Sequence, residues 1–252
     1  MHHTSLLSIL ALVLIPASSF ASDIAPRLAK VDALDSQGKN ADALALCLDA
    51  EKLAPDDAEV LRRVAKQYAE AVLDAKGNAA KKAAADKSLE YAKRAVAADP
   101  KNALARLSLA ICYGRAATVA DGKTKIAYSK LIKEHADAAL ALDPNNDLTH
   151  FVLGSWCYEI ANLGTLLRAA ARVVYGAIPT ATNQDAARFL ERAVQLNPRR
   201  VCNHASLGRT YAALGEKAKA QQSFQRALAL PAGDKGDDIV KSNVREALAD
   251  LR

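Results

Sequence analysis

Residues 201–232 read VCNHASLGRTYAALGEKAKAQQSFQRALALPA. Apolar and small side chains recur here at three- and four-residue intervals, the period of a helix with one buried face. Gly215 interrupts the pattern, where a left-handed residue ends one helix and reverses the chain into a second. Gly208, Ala220 and Ala227 are small, as two closely crossing helices require, and Leu207, Tyr211 and Phe224 are sized to fill the space beside those crossings. The stretch is a helical hairpin.

The same hairpin recurs upstream. Pro55, Pro100, Pro144 and Pro198 each close an apolar helical run, in KLAP, AADP, ALDP and QLNP. An alanine lies five residues before each proline, at Ala50, Ala95, Ala139 and Ala193. The residue before a proline avoids the α conformation, so a helix must end at each of these points. Polar pairs follow (Asp56-Asp57, Lys101-Asn102, Asn145-Asn146, Arg199-Arg200), suited to the turn and in part to capping the next helix. Val64-Ala65 with Tyr68, Leu109-Ala110 with Tyr113, and Leu153-Gly154 with Cys157 hold the phase of Leu207-Gly208 with Tyr211. These positions resemble the tetratricopeptide repeat, a helix pair with a period of about 34 residues.

The spacing predicts five helix pairs. First helices fall near 24–36, 58–75, 103–117, 147–162 and 201–214, and second helices near 40–53, 82–98, 124–142, 183–196 and 217–230. A last helix near 237–251, with apolar Ile239, Val240, Val244, Leu248 and Leu251, is expected to cover the open end of the stack. The prolines are 45, 44 and 54 residues apart, so the middle units carry insertions. The first two are short and hydrophilic and are read as longer helices. The third, residues 163–182, is apolar and carries arginines. The fold class is therefore all-α, a tetratricopeptide-type α-solenoid of about five helix pairs with a C-terminal capping helix.

Composition agrees: 51% of residues are apolar, 5% aromatic and 25% charged, with 11 glycines and 8 prolines in 252 residues. The net charge of +6 is not gathered into a Lys/Arg tract, which does not describe a nucleic-acid binder. Residues 1–21, MHHTSLLSILALVLIPASSFA, read as a leader: an apolar run from Leu6 to Ile15, then the small-x-small triplet Ser19-Phe20-Ala21. The expectation is export to the periplasm or the extracellular space with cleavage near Ala21, leaving a repeat domain over 22–252 with no transmembrane segment. Cys47, Cys112, Cys157 and Cys202 each fall in a different helix pair without a CxxC motif. They are read as small buried thiols, with a Cys112–Cys157 bridge conceivable because both lie late in neighbouring parallel helices.

No Ser/His/Asp set, metal cluster or phosphate loop is recognisable, and no cofactor is implied. His150 and Cys157 share a helix face but stand two turns apart, about 10 Å. The chain reads as a binding module rather than an enzyme. Its first helices are expected to line a concave groove. Glu59, Arg62, Arg63 and Lys66 make one end basic. Leu104, Leu107, Ser108 and Ile111, then Leu148, Phe151, Val152, Ser155 and Tyr158, make the middle apolar, and Ala205, Arg209 and Ala212 follow. An apolar surface of this kind calls for a partner.

Within the insertion, Leu163, Leu166, Leu167, Ala170, Val173 and Val174 lie on one side of a helix, with Thr165, Arg168 and Arg172 on the other. Two readings stay open: a plug laid into the groove by its leucine face, or a lid over a cavity. In the second, Arg168 and Arg172 join Arg62 and Arg63 around an anionic group. The first hypothesis for function is a groove for a protein or peptide partner. The alternative is a carrier or sensor of a hydrophobic small molecule or lipid beneath the inserted helix 163–176. Trp156 is expected to pack between helices with its indole N–H on a carbonyl, and Glu159 to bond across to the inserted loop.

HFVLGSWCYEIANL at 150–163, PTAT at 179–182, and the spacing from Ala187 to Pro198 resemble the regulator of microtubule dynamics family. The similarity is densest over His150–Gln222 and thinner over Lys87–Asn146. It implies tetratricopeptide-like helical repeats and offers no catalytic residues to carry over. For animal members it implies ties to microtubules, organelle contacts and lipids.

Overall fold

A computed structural model describes residues 18–175 and 180–251. The expected leader lies mostly outside them. The chain forms helices α1 (Ser18–Ser36), α2 (Asn40–Leu53), α3 (Ala58–Asp74), α4 (Asn78–Ala98), α5 (Ala103–Ala117), α6 (Gly122–Leu142), α7 (Asp147–Ala161), α8 (Thr165–Tyr175), α9 (Asn183–Leu196), α10 (Val201–Ala213), α11 (Lys217–Ala229) and α12 (Asp237–Asp250). The pairs are α1–α2, α3–α4, α5–α6, α7–α9 and α10–α11, with α8 inserted in the fourth. The two hydrophilic insertions lengthen α4 and α6 to 21 residues each.

Local chemistry sets the boundaries. Each second helix ends just before its proline. In three repeats the polar pair that follows supplies a cap: Asp57 accepts from the Val60 amide, Asn102 from Ala105, and Asn146 from Thr149. The fourth junction has Arg200, which cannot accept; it pairs instead with Asp147 and Asp234. Thr182 opens α9 with a capping box shared with Asp185.

The small residues do what the hairpin pattern requires. Ala50, Ala95, Ala139 and Ala193 are fully buried where paired helices cross. A methyl group added at Gly154 would come within 2.6 Å of Leu190 Cγ, and one at Gly208 within 2.5 Å of Phe224 Cδ1. The stack has two layers. α3 packs on α5, α5 on α7 and α7 on α10, while α4, α6 and α9 each lie between consecutive first helices. First helices therefore form the inner, closer-spaced layer, and second helices the outer one.

At the C-terminal end α12 covers α10 and α11 with Val244 buried and Val240 and Leu248 partly so; Ile239, expected on this face, is 57% exposed. The α11–α12 loop reaches back to the other end of the chain. Lys235 Nζ donates to Asn40 Oδ1 at 2.9 Å and pairs with Asp74, so the stack curls until its two ends touch. A cleft of about 560 Å³ lies there, between the α1–α2 turn and Ala232–Lys235. All four cysteines are free thiols; the Cys112–Cys157 bridge is not formed. Burial pushes Cys112 and Cys157 up to about 11, and Cys47 and Cys202 to about 12.

Candidate functional site

The inner faces of α5, α7 and α10 carry the middle of the expected groove. Ile111, Phe151, Ser155 and Tyr158 are half-buried there, and Leu104 is 40% exposed. Leu107 is not part of the surface: at 3% exposure it belongs to the core. Ser155 Oγ is buried and has no hydrogen-bond partner among the described residues. Arg209 is exposed on α10, its guanidinium 4.1 Å from the centre of the Tyr158 ring and 3.2 Å from Glu159 Oε1. Glu159 thus reaches the next repeat, and it has no bond to the inserted loop among the described residues.

The basic end is already neutralised. Arg63 holds Asp32 through two bonds of 2.9 Å and Glu59 through one of 2.7 Å, and Arg62 also grips Glu59. Burial pushes the Glu59 carboxyl up, but its bonds from Arg62, Asn102 and Arg63 win and hold it at about 2. Arg63's bonds to Asp32 likewise hold that carboxyl low against its burial. Arg63 is therefore a structural tie between α1 and α3 and Arg62 is held by Glu59 within α3; neither is a free cation for a ligand.

The described helix of the insertion lies on the outer layer. α8 packs against α6, a helix of the outer layer, with Ala171 buried and Val173 86% exposed. The side chains of Leu166 and Leu167, on which both plug and lid readings turned, lie outside the described residues. Arg168 donates to the carbonyls of Leu163 at 3.1 Å and Ala161 at 3.4 Å, so it closes the C-terminal end of α7. Arg172 is exposed. The four arginines expected around one anionic group are thus not brought together. What fixes the insertion is Asn162, whose Nδ2 donates to Asn183 Oδ1 at 2.7 Å across its two ends. Trp156 behaves as expected: its Nε1 donates to the Ser129 carbonyl at 3.0 Å.

Two features of the inner face carried no signal in the helix pattern alone. Arg115, in the last turn of α5, is half-buried with no ion pair or side-chain hydrogen bond among the described residues. Gly114 beside it has no heavy atom within 4 Å of where a Cβ would stand. Extending the stripe Leu104, Leu107, Ile111 by one more turn would have reached both.

With this geometry in place, comparison with known proteins places the chain. Its sequence matches the regulator of microtubule dynamics protein 1-3 family over residues 27–252. The chain belongs to this family. It is 29% identical over 238 residues to regulator of microtubule dynamics protein 1 of Bos taurus, covering 94% of this chain and 74% of that protein. It is 30% identical to regulator of microtubule dynamics protein 3 of Xenopus laevis, over 81% of this chain and 44% of that one. Among solved structures, a thermophilic TPR protein of Thermus thermophilus superposes with a TM-score of 0.63 at 18% identity, over 90% of this chain and 98% of that one.

Among the described residues no group of His, Cys, Asp and Glu is placed to hold a metal. No described helix is long and apolar enough to cross a membrane. Family membership overturns the expectation of export. The relatives are named for regulating microtubule dynamics, and microtubules are cytoplasmic polymers, so the periplasmic and extracellular assignment is withdrawn. An apolar run followed by small residues is a generic pattern, too weak to outweigh alignment over most of the chain.

Proposed function

We propose that this chain is a non-catalytic interaction module that takes a protein or peptide partner along the inner face of α5, α7 and α10. The observation that carries the proposal is the unused apolar surface of that face. Leu104, Ile111, Phe151 and Tyr158 keep exposure on the layer where first helices line the curve, and the described inserted helix lies against the outer layer instead. Surface of this type is stabilised when a partner covers it. The helical-repeat fold suits the task because its repeats present a continuous groove on rigid elements. The relatives' names suggest a role in microtubule dynamics; for this chain the proposal stops at a groove-bound protein partner.

A photo-crosslinking amino acid placed at Ile111 or Phe151 tests it. Protein adducts should form from these positions and be absent from Lys93 or Arg226, with Phe151→Asp abolishing the Ile111 adduct. Equal adducts from all four positions, or from the outer pair alone, would sink the groove assignment.

A further inference from the structure

Among the described residues, Arg115 on the inner face is a cation without a counter-ion. Arg115 has neither ion pair nor side-chain hydrogen bond among the described residues, whereas Arg63, Arg94 and Arg200 are each bonded to a carboxylate. Its surroundings come from three helices. Glu70 on α3, Cys112 on α5 and Cys202 on α10 are all close enough to act on its charge. Burial lowers its pKa, and these neighbours only partly oppose that. Glu70 does not neutralise it by contact, being bonded to Asn40 and paired with Lys66 at 3.5 Å.

The neighbouring glycine is the second, independent observation. Gly154 and Gly208 are glycines because another helix presses on them. Gly114 faces open space, with nothing within 4 Å of a Cβ position. A helix-interior glycine costs about 1 kcal/mol relative to alanine, and here no packing among the described residues calls for it. What remains is room for something from outside to come close to the α5 backbone. Ile111 lies one turn before it on the same stripe, and Phe151 lies on the adjacent α7.

We propose that Gly114 and Arg115 form an anchoring point for an acidic-apolar peptide segment of a protein partner: its backbone passes over Gly114, one carboxylate side chain meets the Arg115 guanidinium, and flanking aliphatic side chains rest on Ile111 and Phe151. The occupant follows from charge complementarity. One unneutralised guanidinium in a half-buried apolar setting favours a single carboxylate, which it grips through two parallel N–H bonds. This inference rests on the groove reading and makes it specific.

The test uses the full chain and two fluorescein-labelled peptide amides, (Gly-Glu-Leu)4 and (Gly-Gln-Leu)4, measured by fluorescence anisotropy at low salt. The glutamate peptide is expected to bind about tenfold more tightly, the worth of one hydrogen-bonded charge pair. Arg115→Gln should bring the two peptides to equal affinity, and Arg115→Lys should restore part of the preference. Gly114→Leu should weaken both peptides while the melting temperature is held or raised, which separates loss of space from loss of fold. A wild-type chain that binds both peptides equally, or a preference that survives in Arg115→Gln, overturns the anchor. If Ile111→Asp still abolishes that binding, the groove reading stands without the anchor. Failure of both peptides, or binding indifferent to Ile111→Asp, overturns both readings. Vesicles of phosphatidylserine that bind in an Arg115-dependent way while the peptides do not would assign the site to a lipid headgroup and end the peptide proposal.

Discussion

Each repeat junction leaves a proline carbonyl without a helical partner; at three of the four a side chain six residues on returns to it, and Arg94 reaches the carbonyl of Pro55 from α4. His150 Nε2 donates to the Pro144 carbonyl at 2.9 Å, His204 Nε2 to that of Pro198 at 2.9 Å, and Arg106 Nε to that of Pro100 at 3.1 Å. His204 is buried, and burial lowers its pKa against the effect of that bond; burial also lowers His135, which accepts from Arg106. The sign of the pH effect follows. Below the ordinary histidine pKa of 6.5 the unfolded chain takes up protons that the folded chain resists, so stability falls as pH drops. Above that value these groups contribute no pH dependence. Thermal melting from pH 8 to 5 should therefore give a level midpoint that declines below about 6.5. His204→Gln, which keeps an N–H donor, should reduce the decline. The crossings make a second residue-scale prediction: Gly154→Ala and Gly208→Ala should each cost about 1–3 kcal/mol in urea unfolding through overpacking. Gly114→Ala, with open space around it, should gain up to about 1 kcal/mol.

At the scale of the element, α8 is an amphipathic helix that the fold uses on its outside. It rests on α6 through buried Ala171, while Arg168 and Asn162 tie its N-terminal side to the end of α7 and the start of α9. Among the described residues its packing partner is α6 rather than an inner helix. Ala171→Asp should therefore raise amide hydrogen exchange across 165–175 without matching changes in α5, α7 or α10. Loss of protection throughout the fourth repeat would show instead that α8 supports the stack. The repeating helices needed little beyond local chemistry, because proline placement, caps and a buried alanine row all act within one hairpin. The insertion has no repeat to follow, and its amphipathic pattern was equally compatible with the groove and with α6.

At the scale of the molecule, contact between residues 195 positions apart closes the curve. Lys235 joins Asn40, which also donates to Asp35, Gln67 and Glu70, so one polar cluster links the first two repeats to the C-terminal loop. Asp237 shapes that loop by accepting from the Gly233 and Asp234 amides at 2.9 Å each. The Lys235–Asp74 pair is partly exposed, so Lys235→Ala should cost no more than about 1 kcal/mol. Its effect should appear in shape. Spin labels at Gly38 and Gly233 are expected to show a longer and broader distance distribution in Lys235→Ala, and in the unaltered chain at high salt. An unchanged distribution would mean that helix stacking alone sets the curvature.

The sequence by itself determined the repeat: where helices end, which residues are small at their crossings, which polar residues cap them, and that the last helix closes the stack. These are short-range consequences of backbone sterics and helical period. Family membership was also legible, in residues 150–163 and 179–182. Only the tertiary structure decided which charges remain available. Arg62, Arg63 and Arg168 look like ligand-binding arginines in one dimension. In three they are consumed by Asp32, Glu59 and the end of α7. Arg115 drew no attention in the sequence, yet among the described residues it has no ion pair. Ion pairs between helices depend on distances between elements, and helical period carries no information about those.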